Sequence, residues 1–158
     1  MIQHDGEGAF GVILNRPTGR SIADVWEEVR GNECDCRQEV HVGGPVTGPL
    51  VALHTEPALS EMAIVDGIYC TMSADKIEEI VSADRKLVRF YAGYSGWGGG
   101  QLESELSTGS WLTIEANANT VFRTPNDEIW AQATREASGS DTRRPFPPTS
   151  GADDPSWN

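Results

Sequence analysis

Apolar and polar residues alternate along this chain in short runs, and between those runs the apolar spacing lengthens to that of a helix. Phe10 to Leu14 reads as a strand that enters Asn15-Arg16-Pro17, where Pro17 holds Arg16 out of the helical region and Thr18-Gly19 turns the chain. Ser21 with Asp24 three residues on forms a capping box, and Ile22, Val25, Trp26 and Val29 make a core-facing stripe that Gly31-Asn32 ends. Val40 to Pro45 predicts a strand running into a glycine turn, and Leu50 to His54 a second strand after Gly48-Pro49. Met62 to Val65 and Ile68 to Thr71 flank Asp66-Gly67, a two-residue hairpin signal. Ser73 then caps a helix carrying Ile77, Ile80 and Val81, which returns the chain to a strand at Leu87.

The stretch from Arg89 to Leu112 is the most particular part of the sequence. Leu87 to Ala92 alternates as a strand, and Gly93 and Gly96 are expected to break it, so that Tyr94 and Trp97 are displayed from a tight turn. After Gly98, Gly99 and Gly100, the segment QLESEL predicts a short helix with Leu102 and Leu106 on one face. Ser107 to Ser110 ends that helix, and Leu112 and Ile114 read as the inward face of a further strand. Thr124-Pro125-Asn126-Asp127 opens a last helix with Ile129, Trp130 and Ala133 on one side. From residue 138 to 158 the chain is rich in Pro, Ser, Gly and Asp and reads as a disordered tail, in which Phe146 and Trp157 are the only large apolar points. Residues 1–137 therefore form one domain. Strands and helices joined by hairpin signals predict an α+β fold with a mixed, largely antiparallel sheet.

Four motifs lie in order along the chain: GAFGVILNRP at Gly8 to Pro17, VGGPV at Val42 to Val46, Leu53-His54, and GYSGW followed by GQLE from Gly93 to Glu103. In this it resembles the AlgH/YqgE family of small bacterial proteins, from Met1 to about Val121. The resemblance implies a compact, partly barrel-like core with helices packed outside, and a regulatory link, since members are labelled transcriptional regulators. Ser95 stands where the family usually has Ala, and Val42 where Asn is common. Family members also begin with a further strand and loop. Without that unit the strand containing Ile2 is expected to expose an edge that invites self-association.

The formal charge of −12, with 12 basic and 24 acidic residues, argues against nucleic acid or anionic membrane as a direct partner. No apolar run approaches the length of a membrane span and the N-terminus has no signal-peptide pattern, which predicts a soluble, cytoplasmic protein. Cys34, Cys36 and Cys70 fit a reducing compartment. Cys34-Asp35-Cys36 is half a metal site without its other half, so neither metal nor cofactor is expected.

No complete catalytic constellation is present. Gly93-Tyr94-Ser95-Gly96-Trp97 departs from a nucleophile elbow at its last glycine, which speaks against Ser95 as a nucleophile. His4, His41 and His54 lack metal-ligand spacing and read as strand or loop histidines satisfied by hydrogen bonds. Glu103 and Glu105 point about 200° apart on a helix and cannot share a site. Gly43-Gly44 before Pro45 marks a tight turn, because a phosphate cradle needs a following helix and a nearby Lys. Arg16 is either an anion ligand or a tie between its own loop and the Gly93 to Gly100 turn. The sequence thus predicts a non-catalytic binding or regulatory protein with an aromatic, glycine-rich cleft for a small ligand or a protein segment. Its candidate residues are Asn15, Arg16, Pro17, Gly43, Gly44, Pro45, His54, Gly93, Tyr94, Trp97, Gln101 and Glu103. The competing class is an enzyme of unrecognised type using His54 or Arg16 in the same cleft.

Overall fold

The computed structural model describes residues 1–31, 33–83 and 87–139. Its strands are β1 (Gln3–Asp5), β2 (Gly8–Gly11), β3 (Pro17–Ser21), β4 (Glu39–Val42), β5 (Val46–His54), β6 (Met62–Val65), β7 (Ile68–Thr71) and β8 (Val88–Gly98). The helices are α1 (Ile22–Arg30), α2 (Ala74–Ser82), α3 (Gln101–Ser107), α4 (Ala118–Phe122) and α5 (Asn126–Gly139), with a 3-10 turn at Pro57–Leu59. The sheet runs β1-β2-β8-β5-β7-β6, with β4 joining β8 and β3 joining β4. Every pairing is antiparallel except β4 with β8. The result is an α+β fold whose mixed sheet curls into a nearly closed barrel, with five helices among the described residues.

β8 organises the molecule. Along one edge it pairs with β5 from Val88 to Tyr94, and along the other its first half meets β4 and its second half β2. Apolar clusters form on both faces of this strand. Val88 and Phe90 pack with Ile22 and Trp26 of α1, Ile77 and Ile80 of α2, Val40 and Ala52. Tyr91 packs with Ile2, Val51, Leu53, Ile68, Cys70 and Val121. A strand covered on both faces buries side chains of both, and Val88, Phe90 and Tyr91 are all buried, the last two fully.

Local signals produced several elements as expected. Ser21 accepts from the Asp24 amide while the Asp24 carboxylate accepts from the Ser21 amide, and Gly31 closes α1 in the left-handed region at φ 74°. The β6–β7 hairpin turns through Gly67 at φ 74°. Val29's side chain, Asn32 and residues 140–158, with Phe146 and Trp157, lie outside the described residues, and α5 runs past residue 137 to Gly139.

Four expectations are corrected. β8 is not broken at Gly93 or Gly96 but passes through both, because β2 supplies a partner for its second half. Thr18-Gly19 lies within β3, paired to β4, although Gly19 keeps a positive φ. Residues 110–117 form no strand, and Leu112 is 62 % exposed. Trp130 is 74 % exposed while Ile129 is buried, so α5 packs through a face that excludes the tryptophan.

Candidate functional site

The expected cleft is divided by the strand that was meant to form it. Along the regular β2–β8 ladder, Phe10 lies opposite Gly96 and Ala9 opposite Trp97. Trp97 is three positions along from Tyr94, an odd step in a strand, so the two rings project from opposite faces of β8. The Tyr94 ring lies over Gly96 and meets Phe10 edge-on at 6.0 Å between centroids. Trp97 faces α3 instead.

On the α3 side the polar groups are spent on one another. Glu105 accepts from the indole N–H of Trp97 at 3.0 Å, that of Trp111 at 2.7 Å, and the Gln101 amide at 3.0 Å. Gln101 Oε1 in turn accepts from the Gly98 amide. The hydrogen bond from Trp111, then those from Gln101 and Trp97, hold the Glu105 carboxyl below its ordinary range. Glu103 faces His4 Nε2 at 2.7 Å. Trp97, Gln101 and Glu103 thus fasten α3 and the 110–117 segment to the sheet.

The glycine motif between β4 and β5 is a crossing point. Gly43 donates to Ala92 O and accepts from Ile13 N–H, both at 2.8 Å. A Cβ on Gly44 would stand 2.2 to 2.4 Å from the Tyr94 carbonyl and the Ser95 nitrogen, and one on Gly43 2.2 Å from Gly93 O. Gly93 itself adopts φ 71° against the carbonyls of Gly44 and Val46. Gly43, Gly44 and Gly93 therefore let three backbones touch, and Pro45, exposed, carries the chain out of the crossing into β5.

Arg16 is exposed, and its side chain makes no hydrogen bond or ion pair among the described residues; its carbonyl accepts from Val42 N–H. Asn15 is half-buried in the turn before β3, and Pro17 opens that strand opposite His41. Arg89 instead ties the end of this loop to the segment that opens α5, donating to Leu14 O at 3.1 Å, Asn126 Oδ1 at 2.8 Å and Thr124 O at 2.8 Å. His41 Nε2 meets the same Asn126 oxygen at 3.3 Å. Because that oxygen can only accept, the histidine nitrogen is the donor. Arg89 was legible in sequence only as a member of the strand; its distant partners were not.

Two of the histidines are only half satisfied: among the described residues, His41 Nδ1 and His54 Nε2 are buried without a hydrogen-bond partner. His54 is fully buried in β5, its Nδ1 accepting from the Glu56 amide at 3.2 Å, and burial lowers its pKa below the ordinary 6.5. The unfolded chain then binds the proton more readily, so stability falls as pH drops below about 6.5 towards the folded value. Denaturant melts of the parent and of His54→Gln, compared from pH 7.5 down to 5, are expected to diverge as pH falls, with the variant losing less.

A groove of about 400 Å³ opens on the Tyr94 face. Phe10, Tyr94, Met72 and Pro49 supply its apolar walls, and Gln3, Asp5 and Glu7 of the β1–β2 hairpin its polar rim. One wall exists because β5 is bulged: Val46 pairs with Tyr94 and Leu50 with Ala92, leaving Thr47-Gly48-Pro49 outside the ladder. Gly48 allows the Tyr94 ring to lie flat there, since a Cβ would come 2.9 Å from its Cε1. Asp5 is fixed by the Glu7 and Gly8 amides at 2.9 and 3.2 Å and the Gln3 amide at 2.8 Å, with the Gln3 bond foremost in holding its carboxyl ionised. Of the expected site residues the groove contains Tyr94 alone. Among the described residues no group of three or more His, Cys, Asp or Glu side chains could hold a metal, and no helix is long and apolar enough to cross a membrane.

Comparison with known proteins agrees with this architecture. The chain is 36% identical over 149 residues to a UPF0301 protein of Acidovorax sp., covering 84% of this chain and 75% of the relative. A UPF0301 protein of Chlorobium limicola is 31% identical over 145 residues, covering 88% and 75%. The solution structure of the AlgH protein from Pseudomonas aeruginosa superposes with a TM-score of 0.73 at 29% identity, covering 87% of this chain and 76% of that one. A crystal structure from Corynebacterium diphtheriae shares the fold, with a TM-score of 0.66 at 21% identity over 92% of this chain and 75% of that one. These names assign neither a reaction nor a ligand. A family model described as AlgH-like matches residues 1–141, and the chain belongs to the AlgH-like family.

Proposed function

We propose that this protein is a non-catalytic, cytoplasmic binding protein whose working surface is the groove between the β1–β2 hairpin, the β5 bulge and Tyr94. On this reading any effect on transcription passes through the bound ligand, in keeping with the charge of −12, which opposes direct contact with nucleic acid. The observation that carries the reading is the built character of the groove. A bulge, an unobstructed glycine and an edge-on aromatic pair combine to hold open about 400 Å³ with mostly apolar walls and a few placed polar groups. Small-ligand sites have that size and composition. The enzyme reading loses its named residues, since neither His54 nor Arg16 lines the groove.

A thermal-shift screen of small metabolites against the parent and Tyr94→Leu tests this. The expected result is a compound that raises the midpoint of the parent and leaves the variant unmoved; at a hundredfold excess over Kd the stabilisation is about 2.7 kcal/mol. Compounds that stabilise both proteins equally would place binding elsewhere.

A further inference from the structure

The groove is apolar within and acidic at its rim, and the two parts are arranged around one corner. Phe10 and Tyr94 meet at 80°, presenting a ring edge and a ring face side by side. Asp5 and Glu7 stand on the hairpin that borders this corner. Three of the lone-pair positions on the Asp5 carboxylate are taken by Gln3, Glu7 and Gly8, which fix its orientation and leave a fourth for a donor from outside. Glu7 is exposed, and its carboxylate makes no hydrogen bond or ion pair among the described residues. Among the described residues, no Lys or Arg lines the groove to neutralise either acid.

Resting on the groove reading above, we propose that its ligand is a small organic cation, an ammonium or guanidinium group on a short apolar or aromatic body. The body lies against Phe10, Met72 and Tyr94. The charged end reaches the free lone pair of Asp5 and the unpaired carboxylate of Glu7. An ammonium near these rings also gains the attraction of the aromatic quadrupole, which a neutral or anionic group of equal size does not. An anion would meet two carboxylates at an entrance lined, among the described residues, by no Lys or Arg, so charge selects the class while the apolar walls set its size.

The test uses three probes with the same ring and differing in charge: phenethylamine, 2-phenylethanol and 3-phenylpropanoate. Each is titrated into the full-length protein labelled with 15N, following the amides of Gly8, Phe10, Gly48 and Tyr94. Phenethylamine is expected to bind about tenfold more tightly than the alcohol, with the carboxylate weakest. Glu7→Gln, which alters an exposed side chain and keeps the backbone amide that Asp5 accepts from, is expected to reduce the preference for the amine over the alcohol severalfold. Equal affinities, or preference for the carboxylate, would overturn the cation assignment while leaving the groove as a binding site. Perturbations absent from the groove amides with all three probes at millimolar concentration would overturn both readings.

Discussion

Gly44→Ala is expected to lower stability by about 3 kcal/mol, which for a chain of this size moves the melting midpoint down by about 10 °C. The reason is the crossing at the centre of the sheet. A methyl on Gly44 meets the carbonyl carbon and oxygen of Tyr94 and the nitrogen of Ser95, at 2.2, 2.3 and 2.4 Å. None of these atoms belongs to a side chain that could swing away. Relief requires β8 to move, and β8 is held on both edges by β2, β4 and β5. Gly6→Ala is the control, since a Cβ there meets nothing within 4 Å and the backbone has no positive φ. It is expected to change stability by less than about 0.5 kcal/mol. Calorimetric melts of the two variants beside the parent check the contrast, and similar midpoints for all three would show that the crossing is not as tight as described.

The second large effect is expected at Arg89. Its guanidinium spans three acceptors from two distant parts of the chain: Leu14 O on one side, Thr124 O and Asn126 Oδ1 on the other. In Arg89→Met those acceptors lose their donor in a part-buried setting, a loss of about 3 kcal/mol. Arg89→Lys is expected to recover only part, because an ammonium cannot reach three acceptors with the fork of a guanidinium. The damage should be local before it is global. Hydrogen exchange is expected to quicken first at Leu14 to Arg16 and at the start of α5, while the β6–β7 hairpin follows global unfolding. Uniform quickening across the sheet would contradict this.

These two residues mark the boundary of what the sequence made legible. Ser21 with Asp24, Gly31 and Asp66-Gly67 each act over a few residues, so their elements could be read from spacing alone. Gly43, Gly44 and Gly93 signalled a special backbone, but the reason is contact between segments about fifty residues apart, for which no local pattern exists. Gly96 looked like a strand breaker until Phe10 of β2 paired with it across the sheet, while Gly93 keeps its positive φ against Gly44 and Val46 with the strand continuing through it. The alternation of Leu112 and Ile114 suggested a strand, yet Trp111 is tied to Glu105 instead and Leu112 is left exposed.

The candidate site was legible in even smaller part. Tyr94 was identified, but the groove around it depends on a bulge at Thr47-Gly48-Pro49 and on a hairpin from the start of the chain. Trp97 shares a motif with Tyr94 and was assigned to the same surface. The strand's alternation places it on the other face, where it and Gln101 serve Glu105. His54 drew notice as a potential reactive group and is instead a buried core histidine beside Tyr69, at 6.2 Å between rings.

The proposed ligand binds on the Tyr94 face rather than at the Arg16 loop or the Trp97 face. Intermolecular nuclear Overhauser contacts from the first compound found in the screen test it most directly. Contacts are expected to the Phe10 and Tyr94 rings and the Met72 methyl. Contacts to Arg16, Trp97 or Gln101, with Phe10 and Tyr94 unaffected, would contradict it.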